Sequence, residues 1–452
     1  MNRFALLFVA AHALAAGFCP PARAAEGNPN LVLIMADDFG YECVGSNGGE
    51  SYQTPHLDRL AAGGVRFENA HSYPLCTPTR VALMTGRHNV RNYLNFGTLP
   101  RSETTFAHLL KKAGYATGIC GKWQLGKEDD SPQHFGFDES LLWQQTRRPP
   151  RYANPGLERQ GVAEDFTKGE YGPTLINDFA LDFVTRHKEE PFFLYCPMIL
   201  THDPFQPTPD SDDWDPEAEG ERVNRDVKHF ADMTAYMDQM VGRIDAKLFE
   251  LGIRDNTLLL FLGDNGTHST VTSRFKGGDY RGGKGTTTAR GSHVPLIASW
   301  PAVIKEGRVC EDLVGVVDFL PTLCEAAGVA APESRDGFSF LPQIRGEKGN
   351  PRDALYLWYS PRQKPDLTVK EYAFDHTHKL YRDGRLYDLA ADPFEEGEPL
   401  ASDSSPPARA SLQAVLDLYS GARPEALDKA FIQANPGATS GAKPGKKKAK
   451  AK

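Results

Sequence analysis

The segment LCTPTR at residues 75–80 has the residue types and spacing with the clearest chemical potential. Cys76 and Arg80 form the pattern Cys-x-Pro-x-Arg, and Pro78 predicts that a helix begins near it and continues through residues 81–84. The N-terminus of a helix favours anions. A reactive group at position 76 beside a cation at position 80 therefore suits chemistry on an anionic substrate.

Further charged and ligating residues follow four predicted strands, at residues 31–35, 115–120, 192–196 and 257–262. In the order of those strands, these residues are Asp37 and Asp38, Lys122, His202, and Asp264 with Asn265. Each of them alone is better explained as a capping or solvated side chain. Because ligands bind beyond the carboxyl ends of strands in open α/β sheets, their joint placement nevertheless predicts one shared site. Its oxygen donors suit a hard cation such as Ca²⁺.

The elements that must position these residues alternate short apolar runs with amphipathic helical patterns. This alternation predicts an α/β fold with a large, mostly parallel sheet flanked by helices. A fifth strand is predicted at residues 294–300, and helices are predicted to begin at Pro55 and to cover 104–113, 177–187, 226–251 and 318–327. Residues 353–390 predict short strands and a hairpin, and hence a small antiparallel C-terminal subdomain.

Two stretches rich in Pro, Gly and charge, 141–175 and 204–225, are predicted to be loops that shape the pocket. An ordinary surface loop explains them equally well. The first stretch carries Trp143, Arg147, Arg148 and Arg151, which suit stacking on sugars or pairing with anions. The predicted organisation is an export signal at 1–24, a catalytic domain at 25–350, a C-terminal subdomain at 351–434 and a disordered Lys-rich tail at 435–452.

The 452-residue chain has a net charge of −8, although its last ten residues include six lysines. The acidic body excludes a large nucleic-acid footprint, and it predicts that a bound anion meets a local basic pocket or a bound cation. Residues 4–16 are apolar apart from His12, and Ala22-Arg23-Ala24 fits a cleavage site. No later run approaches the length of a membrane span. We therefore expect an exported protein, periplasmic or extracellular.

Seven cysteines allow at most two disulfides once Cys19 leaves with the signal and Cys76 is assigned to the site. Cys120 and Cys196 lie in predicted strands and are expected to be buried thiols. Cys310 and Cys324 are the only pair close in sequence.

The Cys-x-Pro-x-Arg segment resembles the signature of the type I sulfatases, the formylglycine-dependent members of the alkaline phosphatase superfamily. Other motifs match that family in the same order along most of the mature chain, which implies an alkaline-phosphatase-like fold. They are DD at 37–38, GKWQLG at 121–126, GFD at 136–138, THDP at 201–204, DNG at 264–266, KG at 284–285, DFLPTL at 318–323 and LYDL at 386–389.

The resemblance implies that Cys76 is converted to formylglycine (3-oxoalanine) by a formylglycine-generating enzyme during export. The hydrated aldehyde is the nucleophile in that family, and Arg80 takes the position that stabilises it. One Ca²⁺, with Mg²⁺ the less favoured ion, is implied at Asp37, Asp38, Asp264, Asn265 and residue 76. Lys122 and Lys284 take the sulfate-binding positions, and His202 is the candidate that protonates the departing alcohol.

Four places depart from the family pattern: Gln124, Phe205, Ala289-Arg290 and His293. Gln124 stands where the family usually has a His that contacts the hydrate and assists sulfate expulsion. An amide can position a hydroxyl but cannot take its proton near pH 7. The candidates for the missing base are His268 or a water bound to the metal, and a histidine without a catalytic role explains His268 slightly better.

The predicted activity is hydrolysis of sulfate esters, with a sulfated carbohydrate or an aryl sulfate as substrate. A metal-dependent phosphatase or phosphodiesterase is the nearest different enzyme, but such enzymes usually use Thr or Ser with two metals. The alternatives that stay open are a formylglycine-dependent phosphonate or phosphate ester hydrolase, and a catalytically weak protein that binds sulfated glycans. The sequence indicates no oligomeric state.

Overall fold

The structure is a computed structural model that describes residues 28–218, 222–223, 225–362 and 368–436. The predicted export signal lies outside these residues and stays a prediction. The predicted tail also lies outside them, except that residues 435 and 436 are described and Asn435 caps the last helix. None of the helices in the described ranges is long and apolar enough to cross a membrane.

Sixteen strands are present in the described part of the chain. They are β1 (Asn30–Ala36), β2 (Val65–His71), β3 (Ala116–Lys122), β4 (Glu139–Trp143), β5 (Gly156–Arg159), β6 (Val162–Asp165), β7 (Phe192–Pro197), β8 (Thr257–Gly263), β9 (Thr272–Phe275), β10 (Gly278–Arg281), β11 (Leu296–Ser299), β12 (Arg308–Gly315), β13 (Leu355–Tyr359), β14 (Lys370–Phe374), β15 (His378–Tyr381) and β16 (Leu386–Asp388). Ten of them form one mixed sheet in the order β12-β2-β11-β8-β1-β7-β3-β4-β5-β6.

Twelve α-helices flank these strands or connect them in the described ranges. They are α1 (Pro55–Ala62), α2 (Cys76–Thr85), α3 (Asn89–Asn92), α4 (Phe106–Lys112), α5 (Ser131–His134), α6 (Gly172–Arg186), α7 (His229–Glu250), α8 (Ala289–Ser292), α9 (Phe319–Ala326), α10 (Leu341–Arg345), α11 (Pro406–Leu418) and α12 (Glu425–Ala434). The α/β class, with a mostly parallel sheet flanked by helices, is confirmed.

The central strands are buried on both faces, which explains why they are continuous apolar runs in the sequence. In β1, Leu31, Leu33 and Met35 belong to the hydrophobic core on one face of the sheet. Val32 and Ile34 belong to the core on the other face. Successive strand residues point to opposite faces, so a central parallel strand needs an apolar residue at every position.

The prediction of a loop over residues 141–175 is wrong for the centre of this stretch. There β5 and β6 form a hairpin that extends the edge of the large sheet. Turn-forming residues surround the two strands, and β6 is largely exposed. Its residues therefore lack the apolar alternation that a buried strand shows. The stretch 204–218 contains no helix or strand, as predicted.

The predicted C-terminal antiparallel unit is confirmed as a four-stranded sheet in the order β13-β14-β15-β16. Its apolar residues, including Leu355, Tyr372 and Leu380, share one hydrophobic core with the large sheet. The exact domain limits at residues 350 and 434 stay predictions.

The six cysteines in the described ranges are free thiols. Cys120 and Cys196 are buried on neighbouring strands with their sulfur atoms 3.5 Å apart, which confirms the prediction of buried thiols. Cys310 and Cys324 are unpaired, so their closeness in sequence does not produce a disulfide.

We expect the free energy of unfolding to decrease as the pH falls from about 6.5 to about 4, in part because of His293. This ring stacks on Tyr41 at 4.0 Å and bonds the backbone oxygen of Glu68 at 2.8 Å. Burial lowers the pKa of His293 to about 4. As the pH falls, the His293 ring is therefore protonated in the unfolded chain at a higher pH than in the folded one. This difference lowers the free energy of unfolding by up to about 3 kcal/mol between about pH 6.5 and about pH 4.

Urea unfolding at several pH values measures this effect. The variant His293→Phe keeps a ring but cannot titrate, so its stability should depend less on pH below 6.5. The same substitution at the exposed His376 serves as the control. An unchanged pH dependence in His293→Phe would contradict the assignment.

Candidate active site

Four neighbouring parallel strands, β8, β1, β7 and β3, deliver polar side chains to one edge of the large sheet. Asp37 and Asp38 follow β1, Lys122 ends β3, His202 follows β7, and Asp264 with Asn265 follows β8. The structure brings these residues together, as their positions after predicted strands indicate.

Cys76 is the first residue of α2, and all ten residues of this helix are buried. The helix begins two residues earlier than Pro78 suggests. Arg80, one turn later, donates from Nη1 to the backbone oxygen of Lys122 at 2.9 Å and from Nη2 to Asp264 Oδ2 at 3.3 Å. These contacts fix the N-terminus of α2 against the ends of β3 and β8.

Gln124 contacts Cys76 directly: the Cys76 thiol donates to Gln124 Oε1 across 3.0 Å. The backbone of Gln124 has a φ of +54°, and Gly121 has a φ of +130°. A Cβ at Gly121 would lie 1.9 Å from the backbone oxygen of Pro197, so only glycine fits there. This tight backbone path brings both Lys122 and Gln124 into the site.

Three fully buried carboxylates face three buried or nearly buried cations. Lys122 Nζ lies 2.8 Å from Asp37 Oδ2, and Lys284 Nζ lies 2.6 Å from Asp38 Oδ2. Asp264 accepts from Arg80 and, through Oδ1, from the backbone nitrogen of Asp38 at 2.9 Å. The cluster is therefore close to neutral and held together by charge-assisted hydrogen bonds.

The ionisation of the carboxylates reflects this crowding. Burial, with the negative charge of Asp37 second, raises the pKa of Asp264 to about 8. Burial is also the largest single influence on Asp37 and opposes its ionisation, but the surrounding positive charges, of which Lys122 is the strongest, together outweigh burial and hold the pKa of Asp37 well below its usual value. A group that adds positive charge here would stabilise the ionised form of all three carboxylates.

The donor set fits a hard divalent cation. Ligand atoms of Asp37, Cys76 and Asp264 lie within 4.8 Å of one another. Asn265 donates from Nδ2 to Asp38 Oδ1 at 2.8 Å, while its buried Oδ1 has no hydrogen-bond partner among the described residues. Such an orphaned oxygen beside carboxylates is a suitable ligand for Ca²⁺.

His202 lies above the carboxylates with its two ring nitrogens in different surroundings. Nδ1 faces only oxygen acceptors, the backbone oxygen of Asp203 at 2.6 Å and its Oδ1 at 3.0 Å. Nδ1 therefore carries a proton. Nε2 lies 3.0 Å from Lys284 Nζ, on the side of the reactive cluster.

A cleft of about 940 Å³ opens above Cys76, Gln124, His202 and Lys284. Its walls come from residues 94–101 and 126–128, together with Gln144, Arg148, Arg362 and Asn435. Of the described residues in the two stretches predicted to shape the pocket, only Gln144 and Arg148 line this cleft. The other wall residues were not predicted, because nothing in their local sequence pattern indicates a site.

His268 is not brought into the cluster. Its Nδ1 lies 2.9 Å from Thr270 Oγ1, and its ring packs edge-on against Phe205 at 5.8 Å. His268 does not line the cleft. The geometry therefore gives no support to His268 as the base that replaces the family's histidine.

We accordingly expect the variant His268→Ala to keep kcat/KM within about threefold of the unsubstituted enzyme. Loss of a general base would instead lower kcat/KM by about 10²-fold or more. The matched variant Gln124→Ala, which removes the hydrogen bond to residue 76, should lower kcat by about tenfold. Steady-state kinetics on one sulfate ester measures both. A 10²-fold loss in His268→Ala would restore His268 as the base.

Comparison with known proteins agrees with this geometry. The sulfatase family profile matches residues 29–329, and the profile of the N-sulphoglucosamine sulphohydrolase C-terminal region matches residues 287–417. Arylsulfatase A of Homo sapiens is 34% identical over 385 residues, covering 77% of this chain and 73% of the relative. N-acetylgalactosamine-6-sulfatase of Mus musculus is 33% identical over 384 residues, covering 76% and 71%.

Solved structures share the architecture. Ps i-CgsB in complex with k-i-k-neocarrahexaose superimposes with a TM-score of 0.75 at 25% identity, covering 90% of this chain and 98% of that chain. The phosphonate monoester hydrolase of Agrobacterium radiobacter shares the fold with a TM-score of 0.62 at 19% identity, covering 89% and 96%. The chain therefore belongs to the sulfatase family, within the alkaline phosphatase superfamily, and is an arylsulfatase-like hydrolase of sulfate esters.

Proposed function

We propose that the protein hydrolyses sulfate esters of carbohydrates, with formylglycine derived from Cys76 and one Ca²⁺ as its cofactors. The observation that carries the proposal is the position of Cys76 at the floor of an open cleft. Its sulfur lies within 4.8 Å of carboxylate oxygens of Asp37 and Asp264 and interacts electrostatically with Lys122 and Lys284. A thiol offers only one weak donor, so this polar environment exceeds what an unmodified cysteine needs.

Residues Asp37, Asp38, Asp264 and Asn265 are the proposed holders of Ca²⁺. Formylglycine supplies a hydrated aldehyde as nucleophile, and the cation supplies positive charge beside the sulfate. The charges of the protein groups nearly cancel, so a bound divalent ion gives the site a net positive charge. This charge suits the monoanionic sulfate ester and explains how an acidic protein binds an anion.

Lys122, Lys284 and Arg80 are positioned to stabilise charge on the sulfate. Lys122 and Lys284 are held by aspartates in short contacts, so their ammonium groups are already oriented before the ester binds. Preorganised donors of this kind lower the energy of a transition state because they need no reorientation during reaction.

His202 is the proposed donor of the proton that the departing alcohol requires. Because the proton on Nδ1 is held by Asp203, the donated proton is the one on Nε2, which requires the doubly protonated ring. Asp203 holds Nδ1, which fixes the ring and directs Nε2 toward Lys284 and the cleft. Gln124 orients residue 76 by hydrogen bonding but takes no proton. In this assignment, acid chemistry resides on His202 and positioning on Gln124.

The size of the cleft supports a carbohydrate rather than only a small aryl ester. A volume of about 940 Å³ is large for a single small ring, and the cleft is open to solvent on one side. The names of similar proteins also support a carbohydrate substrate: one is an N-acetylgalactosamine-6-sulfatase, and Ps i-CgsB was solved in complex with k-i-k-neocarrahexaose.

A substrate panel on protein produced together with a formylglycine-generating enzyme tests the proposal. The panel contains 4-nitrophenyl sulfate, sulfated mono- and oligosaccharides, a phosphonate monoester and a phosphate diester. We expect the highest kcat/KM on a sulfated sugar. A preference for the phosphonate or the diester over every sulfate would contradict the proposal.

A further inference from the structure

A second cavity, of about 250 Å³, lies beside the active-site cleft. Its lining includes Trp143, Arg148, Arg151, Tyr152 and Gln206. Arg148 lines this cavity and the cleft above Cys76, so the two spaces are separated by no more than one side chain. We call the group Trp143, Arg148, Arg151 and Gln206 the arginine subsite.

The guanidinium of Arg151 is unusual in its surroundings. Only 7% of Arg151 is exposed, and the group stacks over the Trp143 ring at 4.0 Å. Its Nη1 is buried and has no hydrogen-bond partner among the described residues. No carboxylate in the described ranges forms an ion pair with Arg151 or with Arg148.

Other arginines of the same region are paired. Arg147 forms two hydrogen bonds with Asp165, at 2.6 and 3.0 Å, and Arg159 bonds Glu164 at 2.8 Å. A buried charge without a counter-ion is costly, because it loses hydration without gaining a partner. Arg151 is therefore a buried guanidinium without an ion-pair partner among the described residues, and a bound anion in the cavity would compensate the cost of its burial. The exposed Arg148 lines the same cavity.

The subsite is also connected to the catalytic histidine. The hydroxyl of Tyr152 donates to the backbone oxygen of Ile199 at 2.9 Å and to that of His202. Pro204, two residues after His202, also lines the second cavity. A ligand in this cavity would therefore lie on the side of the site from which the alcohol departs.

We propose that the arginine subsite binds a second anionic substituent, a sulfate or a carboxylate, on the sugar next to the one that is desulfated. This inference rests on the proposed function and narrows the substrate to a polyanionic glycan. Arg151 provides the buried, rigid cation, because stacking on Trp143 limits its rotamers. Arg148 is exposed and completes the pair from the rim.

The test compares three disaccharides that carry the same scissile sulfate. Their second sugar is neutral, carries another sulfate, or carries a uronate carboxylate. We expect at least one dianionic disaccharide to exceed the neutral one in kcat/KM by about tenfold, mainly because its KM is lower. This difference should become smaller as the salt concentration increases. The more favoured dianion identifies the substituent as sulfate or carboxylate.

The variants Arg148→Gln and Arg151→Gln should each remove most of that tenfold preference. Arg159→Gln, with the same loss of charge outside both cavities, should keep it. Thermal unfolding shows whether the variant Arg151→Gln, at a buried position, still folds. If Arg151→Gln does not fold, the variant Arg148→Gln, at an exposed position, is used for the test. An equal kcat/KM on all three disaccharides, or an unchanged preference in Arg148→Gln, would overturn the inference.

Calorimetric binding of the same disaccharides to Cys76→Ala protein separates this inference from the proposed function. Tighter binding of a dianionic disaccharide, lost in the additional variant Arg148→Gln, supports the subsite even if no ester is hydrolysed. Hydrolysis of sulfate esters without any such binding difference would contradict the subsite alone.

Discussion

Cys76→Ala is expected to lower kcat on sulfate esters by about 10³-fold or more, because the proposed nucleophile is formed from this residue. The fold should remain, since alanine fills most of the space of a buried cysteine and α2 keeps its contacts through Arg80. Turnover of 4-nitrophenyl sulfate and thermal unfolding measure the two expectations separately.

Peptide mass spectrometry supplies the chemical side of that test. Active protein should contain an aldehyde at position 76, in proportion to its specific activity. Cys324→Ala is the matched control, because Cys324 is a fully buried thiol in α9, far along the chain from the site. Full activity in protein that holds an unmodified thiol at position 76 would reject the proposed nucleophile.

Removal of the divalent ion should lower kcat by about 10³-fold, and added Ca²⁺ should restore it, since a cation at a developing charge contributes several kcal/mol. The ion should also stabilise the fold, because it binds the native cluster and not the unfolded chain. Saturation at about 10³ times its dissociation constant would add about 4 kcal/mol. Elemental analysis is expected to show one Ca²⁺ per chain.

Asp264→Asn provides the variant for this prediction. The substitution keeps the size of the side chain but removes one negative charge from the cluster. Added Ca²⁺ should therefore restore less activity in Asp264→Asn than in the unsubstituted enzyme, and it should raise the melting temperature by less. Asp279→Asn removes an exposed carboxylate that is paired with Arg274, and should behave like the unsubstituted enzyme. Two zinc ions per chain would instead indicate a phosphatase-like site.

The parts of the site that follow strands were predictable from sequence, because a buried parallel strand is an uninterrupted apolar run. Asp37, Lys122 and Asp264 each come directly after such a run or end it, and the order of the sheet brings them to one edge. Lys284 lies on a connection without that signal. Its position followed only from the resemblance to the sulfatases.

The walls of the cleft could not be predicted in the same way. Arg362 and Asn435 lie far along the chain from Cys76, and only the packing of the C-terminal region brings them near it. The hairpin of β5 and β6 was missed because it shows little apolar alternation: β6 is largely exposed, and Leu157 is the one apolar residue of β5. Arg151 was predicted to stack on a sugar or pair with an anion, but no sequence pattern indicated that it stacks on Trp143.

The burial of α2 has a consequence for how active protein is obtained. Only 1% of Cys76 is exposed, Thr77 is fully buried, and Arg80 is 1% exposed. A second enzyme that must read this segment as an extended peptide can do so only before the chain folds. In the proposed maturation of Cys76 to formylglycine, the active fraction of a preparation is therefore set during synthesis, and later incubation of folded protein with the modifying enzyme should not increase it. Specific activity then reports maturation yield as much as catalytic power.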